Sequence, residues 1–91
     1  MKYKIVLSNK FKRDLKLASK RGKNLCKLDA VVEALAADTP LSINYHDHNL
    51  SGQLSGFREC HIEPDWLLIY KKEENNLILL LMRTGSHSEL F

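Results

Sequence analysis

Leu77-Ile78-Leu79-Leu80-Leu81-Met82-Arg83-Thr84-Gly85-Ser86-His87-Ser88-Glu89-Leu90-Phe91 closes the chain, and its six apolar leading residues decide how the rest is read. A short continuous apolar run bounded by turn signals has the length of a buried strand. Such a strand usually stops in a turn and then solvent. This one delivers an arginine, a turn glycine, a histidine and a terminal aromatic within nine positions. Working upstream from Leu77–Arg83, Trp66–Lys72 and Ser55–Ile62 read as two further strands. They are joined by Glu63-Pro64-Asp65-Trp66, with proline at the second position of a type I turn, and by Glu73-Glu74-Asn75-Asn76.

The first half has a different period. Tyr3 to Leu7 is rich enough in β-formers for an opening strand. Ser8 or Asn9 then caps a helix through about Lys20, with Phe11, Leu15 and Ala18 at helical spacing. Arg21-Gly22 ends it. A second helix spans about Asn24 to Ala37, presenting Leu25, Leu28, Val32 and Leu35, and stops at Asp38-Thr39-Pro40 because proline cannot continue it. Residues 41–53 are polar and read as a loop carrying His46 and His48. The sum is one α+β domain over residues 1–91, an N-terminal strand and helical hairpin packed on a mainly antiparallel sheet.

Two-residue loops at Pro64-Asp65 and Glu74-Asn75 predict that Glu63 pairs with Trp66, and Trp66 with Arg83. His61, opposite Leu68, then shares a sheet face with Trp66 and Arg83, since paired residues point the same way. A slip of one residue breaks this arrangement.

At 91 residues, 44% hydrophobic and 27% charged, the chain is sized for one modest core. It contains no run near the roughly 18 apolar residues that cross a bilayer, and its N-terminus is too short in apolar residues for a secretory signal. A cytoplasmic location and no membrane partner are the expectations. Cys26 and Cys60 lack CxxC spacing and read as reduced thiols. The net charge of +3 is unevenly spread: residues 1–27 hold ten Lys or Arg and one acid, Asp14, whereas the other 64 hold four basic and ten acidic residues. A basic segment including Lys10, Lys12, Arg13 and Lys16 suits either an anionic partner or a solvated helix face.

All four histidines lie in the second half, near Asp47, Asp65, Trp66 and Arg83. Cleaving an RNA phosphodiester needs a base for the 2′-hydroxyl, an acid for the leaving 5′-oxygen and a cation for the phosphorane-like charge. Imidazole serves both proton roles near neutrality, and guanidinium matches phosphate oxygens. Aromatic rings stack on splayed bases. Each residue also has a plainer reading: His46 as an exposed loop residue, Trp66 as core, Arg58 in an exposed cross-strand ion pair, Arg83 as a sheet-edge cap and Phe91 as a terminal anchor. The chemical competitor is a metal held by His46 and His48 with His61, His87 or Asp65, against which stand the missing helical HxxxH and CxxC frameworks and the nearby arginine. No metal or other cofactor is expected.

The segment Phe57-Arg58-Glu59-Cys60-His61-Ile62-Glu63-Pro64-Asp65-Trp66-Leu67-Leu68-Ile69-Tyr70, the ending Arg83 to Phe91, and the spaced His48, Leu50 and Gly52 resemble the YafQ branch of the RelE/ParE toxin superfamily. The strand–helix–helix opening matches that family in layout. It departs at Asn49 and at Leu54, where relatives commonly carry an aromatic. The resemblance implies a type II toxin: a metal-independent endoribonuclease that cuts messenger RNA in the ribosomal A site and is held inactive by a cognate acidic antitoxin, on a microbial-ribonuclease-like fold. By position it implies His48, His61, Asp65, Arg83 and His87 as the catalytic set, and Trp66 and Phe91 as residues that place RNA. The basic first helix would grip ribosomal RNA. The superfamily also holds members that poison DNA gyrase, and a co-repressor role on operator DNA together with the antitoxin is compatible with toxicity.

Overall fold

The computed structural model describes residues 2–91. The chain runs β1 (Lys4–Leu7), α1 (Asn9–Lys20), α2 (Leu25–Ala36), β2 (His48–Asn49), β3 (Arg58–Glu63), β4 (Trp66–Glu73), β5 (Ile78–Gly85) and α3 (His87–Leu90), with 3₁₀ turns at Ile43–Tyr45 and Gly52–Leu54. The predicted α+β class and helical hairpin are what forms. The predicted loop over residues 41–53 holds the first 3₁₀ turn and the two-residue β2, the second 3₁₀ turn straddles its end, and the last residues form the short helix α3.

Local chemistry sets the helix starts. Ser8 accepts the Phe11 N–H at 2.9 Å, and its own hydroxyl donates to the Met82 carbonyl at 2.6 Å, so the cap also ties α1 to β5. Asn24 caps α2 by accepting the Cys26 N–H at 3.1 Å. Both helices lay their apolar stripes on one side of the sheet: Phe11, Leu28, Val31, Val32, Leu35 and Ala36 pack with Tyr3, Cys60, Ile62, Trp66, Leu68, Tyr70, Leu79 and Leu81. Burying each large side chain contributes roughly 1.5–3 kcal/mol relative to exposure. Cys60 lies in this core and Cys26 at the surface, both as free thiols.

The strand order is β1-β5-β4-β3-β2, antiparallel except for the parallel pairing of β1 with β5. The Pro64-Asp65 loop pairs Glu63 with Trp66 as predicted, but a bulge between His61 and Glu63 puts His61 opposite Leu67, not Leu68. The other hairpin turns over four residues, since Glu73 pairs with Ile78 and Leu77 takes a positive φ of 53°. Arg83 is therefore opposite Ile69, not Trp66, with a second irregularity between Ile69 and Tyr70. These slips overturn the expected shared face. Trp66 belongs with Leu68 and Tyr70 on the helix side, and His61 with Leu67 on the other.

Candidate active site

His61 is the hub of the site. Its ring centroid lies 5.4 Å from that of His46, 6.4 Å from His48 and 5.6 Å from His87. Four imidazoles from three separate stretches thus meet at one end of the sheet, as the sequence suggested.

The loop histidines are positioned by the residue between them. Asp47 accepts from Arg58 Nε at 3.3 Å and Nη2 at 3.1 Å, and from the Tyr70 hydroxyl at 2.5 Å. Arg58 Nη1 also donates to the Asn49 side chain at 2.6 Å. Arg58 therefore forms an ion pair, with Asp47, that clamps the His46–His48 loop. Burial and the bond to Asp47 push the Tyr70 hydroxyl well above its usual range. The clamp holds His46 at φ 50°, a left-handed conformation that non-glycine residues adopt at a cost of roughly 1 kcal/mol. His48 Nδ1 lies 2.6 Å from the His46 carbonyl, which can only accept, so Nδ1 carries the proton and Nε2 offers its lone pair.

The C-terminal histidine is fixed from two sides. Ser86 and Glu89 form a capping box that starts α3 immediately after β5, with the Glu89 carboxylate accepting the Ser86 N–H at 2.9 Å. A Cβ on Gly85 would sit 3.2 Å from Glu89 Oε1 and would push the capping carboxylate aside by a few tenths of an ångström. Arg21 donates to Glu89 at 2.6 Å and anchors α3 to the end of α1. Asp65, in the β3–β4 turn, accepts the His87 N–H at 2.9 Å and lies 2.6 Å from its Nδ1. The His87 backbone and side-chain bonds hold the Asp65 carboxyl below its usual range. A carboxylate in that position keeps the proton on Nδ1 and turns Nε2 outward.

Glu59 was missed as a functional residue. Glu59 is 5% exposed, with Oε1 3.6 Å from Nε2 of both His48 and His61. Its pairing with His48 across β2–β3 puts it there. A buried carboxylate between two imidazoles stabilises a proton held by either. Glu59, His61 and His87 also offer ligand atoms within 4.8 Å of one another, a set of nitrogens and oxygen suited to a zinc- or copper-like ion. This grouping differs from the His46-x-His48 pair that the spacing suggested.

The remaining predicted residues are distributed as follows. Arg83 donates to Asp14 of α1 through Nε at 2.7 Å and Nη2 at 3.1 Å, and the Thr84 N–H reaches the same carboxylate at 3.1 Å. Trp66 is 1% exposed and donates from Nε1 to Thr84 at 2.9 Å, so its ring is core. Phe91 is 63% exposed directly beyond α3. Lys10, Lys12, Arg13 and Lys16 are all exposed on α1, and none forms an ion pair among the described residues. Two hollows flank Glu63-Pro64: one of about 1140 Å³ reaching His46, His48 and His61, and one of about 640 Å³ reaching Asp65, Trp66 and Ser86. Among the described residues no helix is long and apolar enough to cross a membrane.

Known proteins share this fold. The family described as bacterial toxin of type II toxin-antitoxin system, YafQ, matches residues 3–91. The mRNA interferase toxin YafQ of Escherichia coli K12 is 43% identical over 88 residues, covering 96% of this chain and 94% of that protein. A metal-bound toxin from Helicobacter pylori has a crystal structure matching with a TM-score of 0.93 at 48% identity, over 98% of this chain and 99% of that one. The E. coli DinJ–YafQ toxin–antitoxin complex contains a chain matching at 0.89 and 40% identity, over 100% of this chain and 99% of that one. With the match running from the opening strand to the terminal phenylalanine, this chain belongs to the YafQ family of bacterial toxins of type II toxin–antitoxin systems.

Proposed function

We propose that the chain is an endoribonuclease that cuts messenger RNA and so arrests translation. The observation that carries this reading is the cluster of four imidazoles around His61, with Asp65 bonded to His87 Nδ1 and the Glu59 carboxylate 3.6 Å from His61 Nε2. His48, with Nε2 free to accept, takes the proton from the 2′-hydroxyl. The 2′-oxygen then bonds to phosphorus as the bond from phosphorus to the 5′-oxygen breaks. His87, entering the step as an imidazolium with Nδ1–H on Asp65, donates its Nε2 proton to that leaving oxygen, giving a 2′,3′-cyclic phosphate and a 5′-hydroxyl. His61 and Asp65 orient the two rings and share the proton work. Arg83 stabilises the charge on phosphorus, exchanging part of its bond to Asp14 for phosphate oxygens. Phe91 offers an exposed ring to a base, and Trp66 supports the site from the core.

Work on the ribosome in the cytoplasm follows from the same reading, with exposed Lys10, Lys12, Arg13 and Lys16 gripping ribosomal RNA. An acidic antitoxin complements that basic segment and restrains the toxin, and operator DNA is bound only with the antitoxin. Primer-extension mapping of transcripts after brief expression tests the proposal. Cuts at a fixed codon phase are expected from the intact chain and should vanish in His48→Ala and His87→Ala. Undiminished cutting by both variants would reject the assignment. Charge reversal at Lys12, Arg13 and Lys16 with unchanged ribosome association would reject the role of α1.

A further inference from the structure

The larger hollow extends from the imidazoles to a wall that the catalytic reading does not use. Its lining joins His46, His48 and His61 to Cys26, Lys27 and Ala30 of α2 and to Ile62 of β3. At about 1140 Å³ it has room beyond a single phosphate, and its rim carries Asn44 and Tyr45 from the 3₁₀ turn. The Asn44 main-chain N–H is tied to Ser42 at 3.3 Å, which sets the turn, while its exposed side-chain amide bonds to no other side chain among the described residues.

We propose that this groove seats an unpaired nucleobase of the RNA strand beside the cleaved linkage, and that Asn44 reads its edge. A base has two apolar faces and a polar rim, so its site needs apolar walls with a few convergent polar groups. Ala30, Ile62 and the partly buried Tyr45 ring supply the walls, and the Asn44 amide brings both a donor and an acceptor. Charge supports a nucleic acid occupant. Lys27, held by Glu63 at 2.9 Å, and Lys23, 3.6 Å from the same carboxylate, stand where the two hollows meet at Glu63-Pro64. A strand crossing that junction carries its phosphates past both ammonium groups, with its scissile linkage among the histidines. The inference rests on the ribonuclease reading, since that reading brings single-stranded RNA to His61.

Cys26 gives a test that does not depend on cleavage. It is exposed in the groove, whereas Cys60 is fully buried and burial pushes its thiol up to about 12, so a maleimide modifies the native chain at Cys26 alone. An all-2′-deoxy oligonucleotide lacks the attacking hydroxyl and cannot be cut. It is expected to slow Cys26 alkylation, by about tenfold at saturation for the contact energy of one base, and Asn44→Ala should reduce that protection. On ribosome-bound messenger, a bulky maleimide adduct should redistribute the cut sites among bases, while an S-methyl adduct leaves the pattern intact. Alkylation unaffected by the highest oligonucleotide concentration reached, or a bulky adduct that lowers every cut equally, would overturn the groove's role. Loss of the catalytic reading looks different: cutting would persist in His48→Ala and His87→Ala while protection of Cys26 remained.

Discussion

One carboxylate oxygen of Asp65 receives both the main-chain N–H of His87 at 2.9 Å and its ring Nδ1 at 2.6 Å, across a sequence separation of 22 residues. The β3–β4 turn therefore dictates where α3 begins and which ring nitrogen of its first residue faces outward. Asp65→Asn keeps an acceptor but removes the charge that fixes the ring. Its cleavage rate should fall by roughly 10–100-fold, against roughly 10²–10⁴-fold for His87→Ala. Single-turnover cleavage with both variants checks the order; equal rates for Asp65→Asn and the parent chain would dissociate Asp65 from catalysis.

Glu59→Gln preserves volume beside His48 and His61 but deletes the buried charge between them. RNA affinity should hold, while the cleavage rate drops by about tenfold or more, because a proton in transit loses its counter-charge. An unchanged urea unfolding midpoint for Glu59→Gln separates this outcome from a loss of folding.

Asp14 connects α1 to β5 by holding both Arg83 and the Thr84 N–H. Asp14→Ala leaves a part-buried donor unpaired and should cost about 1–3 kcal/mol, read from urea unfolding. A change indistinguishable from zero would show that water replaces the carboxylate without penalty.

Asp38 sits in a left-handed turn after α2, with Lys2 and Lys72 each 2.8 Å away. The Lys2 hydrogen bond, and next that of Lys72, lower its carboxyl from 3.8 to about 2. A depressed folded value means that its stabilising contribution is complete above pH 3.8 and is lost as pH falls towards 2. Unfolding midpoints of the parent and Asp38→Asn should therefore differ at neutral pH and converge at the acidic end. A constant gap across that window would contradict the linkage.

A zinc ion on Glu59, His61 and His87 would occupy rings that the proposed reaction needs free. Added zinc should raise the melting temperature and depress cleavage, and chelator should reverse both. Cleavage that requires zinc, and stops with chelator, would refute metal-independent chemistry.

Elements and chemistry were legible where the signal is local. Ser8 and Asn24 announce the helices, Pro64-Asp65 the first hairpin, and the clustered histidines the site. Ser86-x-x-Glu89 is also a local signal, a capping box that marks α3 and went unread. Register was harder, because the Ile62 bulge and the irregularity between Ile69 and Tyr70 leave no distinctive residue behind, yet each shifts the pairing by one and rotates side chains to the opposite face. Trp66 lies apart from His61 for that reason: alternation along a strand tells which residues share a face, not which face is covered.

The sequence by itself determined the α+β class, the basic first helix and the residue types available for proton transfer, since these follow from periodicity, capping and side-chain chemistry read along a few turns of chain. Only the tertiary structure decided that Asp47 clamps the histidine loop, that Asp14 engages Arg83 and that Glu59 lies buried between two imidazoles. Those contacts join residues 11, 69 and 11 positions apart through bulges and packing. Long-range pairing energies fix them, and no local stretch encodes those energies alone.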